Sequence, residues 1–320
     1  MKLATVRTSF GTSAIRVLST PTTLPLRDIT FTDNPSSPTA ASPMVVGIEL
    51  DFADVGELLR SGDWRKAADM SGEQAMYSVH DLAPVIPHPE KIICVGLNYA
   101  KHIREMGREF PDHPTLFVKF ADALTGPYDD IYIPHYAQAK LDYEGELAVV
   151  IGKHAYHVDR SAALDYVAGY AIMNDYTLRD FQRQTSQFHA GKSFYRTAGF
   201  GPWLTTADEW SPGNNARITT TVNGEVRQDD NTDDLIFSIA ELIEFVSRLY
   251  PLRPGDVIIT GTPEGVGFAR NEFLHSGDNV TISIAGLGRI SNTTVFADDL
   301  LDDETASDQT GCGPHCSCDH

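Results

Sequence analysis

The sequence predicts a β-rich α+β fold, in which a mixed β-roll or sandwich follows a small N-terminal domain. Many short apolar segments separated by glycine and proline turns are typical of rolls, barrels and sandwiches, and not of a βαβ sheet. Helical segments are few, and only the last has a clear helical periodicity of apolar residues. A content of 42% hydrophobic and 22% charged residues over 320 positions is that of a globular protein with a substantial core.

The predicted N-terminal domain covers residues 1–85. Short strand-like segments surround a loop at 35–43, which is rich in proline and serine and does not pack. Val55, Leu58 and Leu59 have the spacing of one face of a helix. A proline-rich stretch then separates this domain from the rest of the chain.

The larger predicted domain covers residues 86–298. The predicted strands are Lys91–Gly96, Thr115–Phe120, Glu146–Ile151, Arg217–Asn223, Val257–Gly261, Asn279–Ile284 and Asn292–Phe296. The predicted helices are Asn98–Met106, Ser161–Tyr166 and Ile236–Leu249. The glycine-rich segment 261–267 lacks the lysine of a phosphate-binding loop, which argues against a nucleotide site.

The charge of the chain excludes several kinds of partner. The formal net charge is −19, so the surface repels nucleic acid and anionic membranes. No apolar segment is long enough for a membrane span, and the first residues lack the apolar core of a signal peptide. We therefore expect a cytoplasmic protein. An anionic substrate would need local positive charge or a metal.

The last region, residues 299–320, is an acidic tail. It also contains five close thiol and imidazole groups, in Cys312, His315, Cys316, Cys318 and His320. Such ligands suit Zn²⁺ or Cu(I), but the interpretation that we favour is a disordered terminus with incidental cysteines. We expect no catalytic role for it.

Glu144 and Glu146 are the most informative pair of residues. They lie two positions apart at the start of an apolar strand, so their side chains point to the same face. Two adjacent carboxylates repel each other unless a cation lies between them. Asp175 follows the next apolar run and offers a third carboxylate, the oxygen ligand that Mg²⁺, Mn²⁺ and Ca²⁺ prefer. The alternative is a solvated pair on an edge strand.

His102 and Glu105 lie three residues apart in a predicted helix, where their side chains meet. A carboxylate in contact with imidazole orients it as a general base able to deprotonate water. An ordinary surface pair has the same spacing.

Further polar candidates follow Asp175. A helix starting at Asp175 would place Arg179 one turn later and Gln182 beyond it on one face, where Arg179 suits a substrate carboxylate. Arg179 is equally suited to a salt bridge with Asp175 or Asp180. Lys119 and Lys192 each lie inside an apolar run, a costly place for a lysine that does not face a site.

These motifs together resemble the fumarylacetoacetate hydrolase family. The resemblance is carried by Asp142-Tyr143-Glu144-Gly145-Glu146-Leu147 and by residues 92–99, 169–175, 191–194, 222–225, 228, 231–232, 252–258 and 260–267. It extends from about Lys91 to Phe296, and the preceding segment is similar to the N-terminal domain of the longer family members.

The resemblance implies a β-rich roll that encloses a metal-bound pocket, usually in a homodimer. It implies that the metal, Mg²⁺, Mn²⁺ or Ca²⁺, is held by Glu144, Glu146 and Asp175. It also implies a catalytic dyad on a closing lid and polar groups around the ligand, namely His102, Glu105, Arg179, Gln182, Lys119, Lys192 and Thr262. One segment departs from the family pattern, which has an aspartate, a phenylalanine and a proline where this chain has Tyr195, Thr197 and Gly199.

The leading functional interpretation is a metal-dependent hydrolase that cleaves a carbon–carbon bond in a small 2,4-dioxo acid, such as an acylpyruvate. His102 would activate water, Lys192 and Gln182 would polarise the carbonyl or return a proton, and Arg179 and Lys119 would hold carboxylates. The alternatives on the same site are decarboxylation of oxaloacetate, and isomerisation or decarboxylation of unsaturated dicarboxylic acids from aromatic breakdown. A ligand-binding protein without turnover is the non-enzyme alternative.

Overall fold

The computed structural model describes residues 1–20, 43–211 and 215–297. The predicted loop at 35–43 lies outside these ranges except for Pro43, and the tail at 299–320 lies wholly outside them. The predicted metal ligands of the tail are therefore among the residues that are not described.

Strands make up most of the regular structure. They are β1 (Lys2–Thr8), β2 (Gly11–Ser19), β3 (Met44–Glu49), β4 (Gln74–Ser78), β5 (Ile92–Gly96), β6 (Thr115–Lys119), β7 (Leu124–Thr125), β8 (Ile131–Ile133), β9 (Leu141–Asp142), β10 (Gly145–Ile151), β11 (Val167–Asn174), β12 (Thr177–Leu178), β13 (Ala198–Thr206), β14 (Arg217–Val222), β15 (Glu225–Asn231), β16 (Val257–Ile259), β17 (Asn279–Ile284) and β18 (Gly288–Phe296). The α-helices of the described ranges are α1 (Val55–Arg60), α2 (Ala100–Glu105), α3 (Arg179–Gln182), α4 (His189–Lys192), α5 (Ile239–Leu249) and α6 (Gly267–Arg270). The predicted helix at 161–166 is a 3-10 helix, Arg160–Tyr166.

The strands form two large sheets of mixed direction. The first has eleven strands in the order β4-β3-β2-β1-β13-β11-β10-β16-β5-β6, with β7 beside β13. Its neighbours are antiparallel except for β16 with β5 and β13 with β7. The second has five strands in the order β15-β14-β17-β18-β8, and β9 pairs with β12 separately. Mixed sheets with few helices confirm the predicted β-rich α+β class.

The main apolar core lies between the two large sheets. Leu147 of β10 belongs to one buried cluster with Ile218 of β14 and Ile282 of β17. The next residue, Ala148, points to the other face and belongs to a second cluster with Leu58 of α1. Because side chains alternate along a strand, β10 is buried on both faces, which explains its continuously apolar sequence. The start of β10 is thus a rigid support for the acidic residues beside it.

The N-terminal strands extend the large sheet. β1 is antiparallel to β13, with Lys2 opposite Thr205. The proline-rich stretch after β4 is also packed, since Val85 is fully buried and its carbonyl accepts a hydrogen bond from Thr5 Oγ1 at 2.9 Å. The domain boundary at residue 85 stays a prediction.

β6 is an edge strand of the large sheet among the described strands. Val118 on β6 and the adjacent Phe120 expose 44% and 57% of their surface. Folded proteins usually cover an apolar edge strand. The homodimer implied by the resemblance stays a prediction. A solution mass of 35.1 kDa would show a monomer, and twice that mass would show the dimer.

None of the helices in the described ranges has the length and apolar character needed to cross a membrane. The cytoplasmic location stays a prediction.

Candidate active site

Glu144, Glu146 and Asp175 meet at one end of β10 and β11. These strands are antiparallel with Gly145 opposite Asn174, so the residues at the start of β10 lie next to those that follow β11. One carboxylate oxygen from each of the three residues lies within 4.8 Å of the others, and all three side chains are buried. The register of the two strands thus creates an acidic cluster inside the protein.

Buried cations compensate two members of the acidic cluster. Lys192 Nζ lies 2.6 Å from Glu144 Oε2 and 2.7 Å from Asp175 Oδ2. Lys119 Nζ lies 2.8 Å from Asp175 Oδ1, and Arg179 Nη2 lies 2.6 Å from Glu144 Oε1. Burial alone would raise the pKa of Glu144, but Lys192 and Arg179 overcome it and lower the pKa to about 2. Glu144 is therefore held as a carboxylate.

Glu146 has no such compensation. Its Oε2 accepts a hydrogen bond from the backbone N–H of Gly261 at 2.7 Å, and no cation of the described residues forms an ion pair with it. Burial, and then the charges of Asp175 and Glu144, raise its pKa well above the usual value. The negative charge at Glu146 is thus the one that an additional cation would stabilise.

Buried acidic groups outnumber buried basic groups around this cluster, which favours binding of an additional cation. Four buried carboxylates face three buried cations, with Asp142, Glu144, Glu146 and Asp175 opposite Lys119, Arg179 and Lys192. A donor set made only of carboxylate oxygens fits a hard ion such as Mg²⁺, Mn²⁺ or Ca²⁺. The residues present therefore fit the metal that the sequence analysis predicts.

The predicted helix beginning at Asp175 is wrong. The backbone N–H of Asp175 donates to the carbonyl of Glu144 at 2.9 Å, and Thr177 pairs with Asp142 in the β12–β9 ladder. These bonds hold the chain extended, and α3 begins only at Arg179. The predicted contact within α3 does form, because Arg179 Nη1 donates to Gln182 Oε1 at 3.1 Å.

Arg179 binds the protein's own carboxylates. Its Nε donates to Asp142 Oδ2 at 2.8 Å, in addition to its ion pair with Glu144. Neither Asp175 nor Asp180, the aspartates considered from sequence, is its partner. Asp142 lies 37 positions from Arg179 in the sequence, so local spacing could not identify it as the partner.

His102 and Glu105 form the predicted pair at the end of α2. Glu105 Oε2 lies 3.1 Å from His102 Nδ1, and Glu105 also accepts a hydrogen bond from the backbone N–H of Gly265 at 3.0 Å. The imidazole is buried and lines the same cavity as Glu144 and Glu146. Glu105 therefore fixes the orientation of His102.

The glycine-rich segment 261–267 supplies backbone donors to three carboxylates. Gly261 donates to Glu146, Gly265 to Glu105, and Gly267 to Asp142 at 2.8 Å. The sequence analysis excluded a phosphate loop here but did not predict this role. Three glycines within seven residues, two of them with positive φ, leave the backbone N–H groups of this segment free to reach the carboxylates.

Gln228 is a positioning residue whose role could not be predicted from the sequence. Its Nε2 donates to Thr262 Oγ1 at 2.8 Å, which holds Thr262 at the cavity. Its Oε1 accepts from the backbone N–H of Gly145 at 3.1 Å and from Thr220 Oγ1 at 2.7 Å. Gln228 thus connects the second sheet to the start of β10.

Gly145 has no room for a side chain. A Cβ there would lie 2.5 Å from Thr220 Oγ1 and 3.1 Å from Ile282 Cγ2. We expect Gly145→Ala to destabilise the protein by about 1–3 kcal/mol, a typical cost of overpacking. Urea unfolding measures this, with Gly96→Ala as control because its nearest contact would be 3.6 Å. Equal stability of the two variants would contradict this packing.

A cavity of about 500 Å³ contains most of the predicted site residues. Predicted residues that line it are His102, Glu144, Glu146, Arg179, Gln182, Lys192 and Thr262. Lys119 and Asp175 lie behind this wall, fully buried in the ionic cluster. The structure therefore brings the predicted residues together.

A model of the fumarylacetoacetate (FAA) hydrolase C-terminal family matches residues 91–295. The chain belongs to this family. The resemblance seen in the sequence is thereby confirmed.

Similar proteins include two curated relatives. Oxaloacetate tautomerase FAHD2A, mitochondrial, of Bos taurus is 41% identical over 260 residues, which cover 80% of this chain and 82% of that protein. Oxaloacetate tautomerase YisK of Bacillus subtilis is 43% identical over 238 residues, which cover 72% of this chain and 79% of that protein. The prediction that this fumarylacetoacetate hydrolase family member is an enzyme is confirmed.

Solved structures show the same fold. A putative HpcE protein from Mycobacterium smegmatis has a TM-score of 0.76 and 29% identity, covering 93% of this chain and all of that one. A 2-hydroxyhepta-2,4-diene-1,7-dioate isomerase from Mycobacterium marinum has a TM-score of 0.69 and 27% identity, with the same coverage.

The segment that departs from the pattern of the fumarylacetoacetate hydrolase family is well packed. Tyr195 is exposed, whereas Thr197 is buried and its hydroxyl donates to the carbonyl of Phe194 at 2.8 Å. A Cβ at Gly199 would lie 2.2 Å from Asn292 Oδ1, so this chain has no room for the proline of the family pattern. The segment therefore adopts its own packing while Lys192 reaches the acidic cluster.

Proposed function

We propose that this protein is a divalent-metal-dependent tautomerase that interconverts the keto and enol forms of oxaloacetate. The observation that carries the proposal is the buried cluster of Glu144, Glu146 and Asp175, of which Glu144 and Glu146 line one cavity with His102. The names of the two curated relatives support the substrate. Tautomerisation needs charge stabilisation, removal of a proton from carbon and delivery of a proton to oxygen, and this cavity contains groups for each step.

Glu144, Glu146 and Asp175 are the residues that would hold the ion. We propose Mg²⁺, and Mn²⁺ or Ca²⁺ suits the same carboxylate oxygens. A bound divalent ion stabilises negative charge on the oxygens of a 2-oxo acid. Lys119 and Lys192 hold Asp175 and Glu144 in place for this purpose.

His102 is the proposed base. Because Nδ1 faces Glu105, we assign the ring proton to Nδ1, which leaves the lone pair of Nε2 for the substrate. Nε2 removes a proton from C3 of the keto form, and the imidazolium then gives this proton to the C2 oxygen of the enolate, which forms the enol; the reverse reaction follows the same steps in the opposite order. Glu105 stabilises the imidazolium formed in between.

The remaining polar groups surround the position of the reacting oxygens. The ammonium of Lys192 provides positive charge beside the developing enolate. Gln182 accepts from Arg179 through Oε1, so its amide N–H groups are directed elsewhere and we assign them to the substrate. Thr262 is oriented by Gln228 for the same role.

Hydrolysis of an acylpyruvate, the leading interpretation from sequence, is the second candidate. The contact between His102 and Glu105 favours it, because an oriented imidazole can also deprotonate water. Decarboxylation and diene isomerisation use the same enolate. The sequence alone did not predict tautomerisation. The names of the two curated relatives are what favour it over the other reactions.

Product analysis of the wild-type protein with Mg²⁺ separates these reactions. The enol form of oxaloacetate is added, its ultraviolet absorbance is followed, and pyruvate is measured in parallel. We expect enzyme-dependent loss of the enol without pyruvate, and no pyruvate from acetylpyruvate. Rapid pyruvate from acetylpyruvate would establish the hydrolase, whereas pyruvate from oxaloacetate would establish the decarboxylase.

A further inference from the structure

Two more arginines face the cavity, and the assignments above use neither. Arg108 follows α2, and Arg183 comes directly after α3. Both side chains are exposed at the opening of the cavity. Neither guanidinium forms an ion pair with a carboxylate of the described residues, although the chain has 44 acidic residues and only 25 lysines and arginines. Two unpaired cations at one cavity in so acidic a protein suggest that their partner is a ligand.

Phe268 fixes the position of Arg183. The guanidinium carbon of Arg183 lies 3.8 Å from the centre of the Phe268 ring, and that of Arg179 lies 5.7 Å from the same centre. A guanidinium over an aromatic face is held by cation–π attraction and keeps the N–H groups at its edge for an acceptor. Arg183 is thus held against Phe268 at the cavity opening.

The arginines lie close enough to repel one another. Partial burial, and then the charges of Arg179 and Arg108, lower the pKa of Arg183 below its usual value. An anion between the guanidiniums would remove this repulsion. It would also give the substrate a local positive region on a surface with a net charge of −19.

Arg179 is poorly suited to the same task. Its Nε binds Asp142, its Nη1 binds Gln182, and its Nη2 lies beside Glu144. The protein itself therefore uses the groups of Arg179 that would otherwise bind a substrate carboxylate. The unpaired guanidiniums at the opening are the groups left for that role.

We propose that Arg108 and Arg183 form a carboxylate subsite at the opening of the cavity, which selects 2-oxo acids with a second carboxylate at the far end. The proposal rests on the proposed function, because it assumes that the 2-oxo carboxylate end of the ligand lies at the acidic cluster. Guanidinium groups bind carboxylates through paired charge-assisted hydrogen bonds, so the subsite distinguishes a terminal carboxylate from a terminal methyl group.

Oxaloacetate and 2-oxobutyrate test this selectivity. They have the same four-carbon 2-oxo chain and differ in a terminal carboxylate or methyl group. Isothermal titration calorimetry of the Mg²⁺-loaded protein measures both affinities in the wild type and in Arg108→Gln, Arg183→Gln and the double variant. Arg104→Gln is the matched control, since Arg104 lies on α2, contacts Phe110 and does not line the cavity.

We expect the wild type to bind oxaloacetate at least about tenfold more tightly than 2-oxobutyrate, the typical effect of a hydrogen bond to a charged group. The double variant should lose at least about fivefold of this preference and bind 2-oxobutyrate as before, while Arg104→Gln behaves as wild type. An unchanged preference in the double variant, or none in the wild type, would overturn the subsite. Because the readout is an affinity and not a rate of reaction, a protein that shows the preference but no tautomerisation would disprove only the proposed function.

Discussion

Replacing His102 with alanine is expected to lower the rate of oxaloacetate tautomerisation at least about a hundredfold, the usual contribution of a general base. The reason is that His102 is buried in the cavity with Nδ1 fixed 3.1 Å from Glu105, and no other histidine of the described residues lines the cavity. The measurement is the turnover number with saturating Mg²⁺. The metal content of the variant should equal that of the wild type, because His102 is not among the three carboxylates of the acidic cluster.

His154→Ala is the control for this substitution, since His154 is exposed and lies outside the cavity. It should keep the wild-type rate. Activity of His102→Ala within about tenfold of wild type would contradict the assignment of His102 as the base. Loss of bound metal in the same variant would show instead that the imidazole supports the metal site.

Replacing Glu146 with glutamine is expected to abolish the activity while leaving the metal-free fold at least as stable. Glu146 is a buried carboxyl group that forms no ion pair with a described cation and whose pKa is raised well above its usual value, so replacing it with a neutral amide breaks no stabilising ion pair. Removal of a charged ligand should weaken Mg²⁺ binding by more than the roughly 10–100-fold typical of outer-shell partners. Calorimetric titration with Mg²⁺ and thermal unfolding in EDTA measure the two effects.

Glu144→Gln is the matched comparison, because it changes the neighbouring carboxylate by the same single atom. The substitution removes the charge of Glu144, whose carboxylate oxygens lie 2.6 Å from both Lys192 and Arg179. Breaking a buried ion pair typically costs about 3–5 kcal/mol, so this variant should melt at a lower temperature than Glu146→Gln. Equal melting temperatures of the two variants in EDTA would contradict the described charge distribution.

The sequence was most informative where a single strand determines the geometry. The alternation of side chains along β10 was enough to place Glu144 and Glu146 together, and helical spacing was enough for His102 and Glu105. The lysines in apolar runs also lie at the site, since a buried ammonium needs a partner.

Contacts between distant segments were not predictable in this way. The pairing of Arg179 with Asp142 depends on the β9–β12 ladder, and the extended chain after β11 overrides local helix propensity. The joining of β1 to β13 likewise depends on the register of strands about 200 residues apart. Such pairings arise from tertiary packing, which the local pattern of one sequence does not contain.

The most direct test of a metal-dependent proton-transfer site is a titration of metal-stripped wild-type protein with Mg²⁺ while the enol absorbance of oxaloacetate is followed. Our account predicts negligible enzyme-dependent tautomerisation without metal, a rise that ends at one ion per chain, and no rise in Glu146→Gln. Full tautomerase activity of the metal-free protein, or a Mg²⁺-dependent rise that persists in Glu146→Gln, would contradict it.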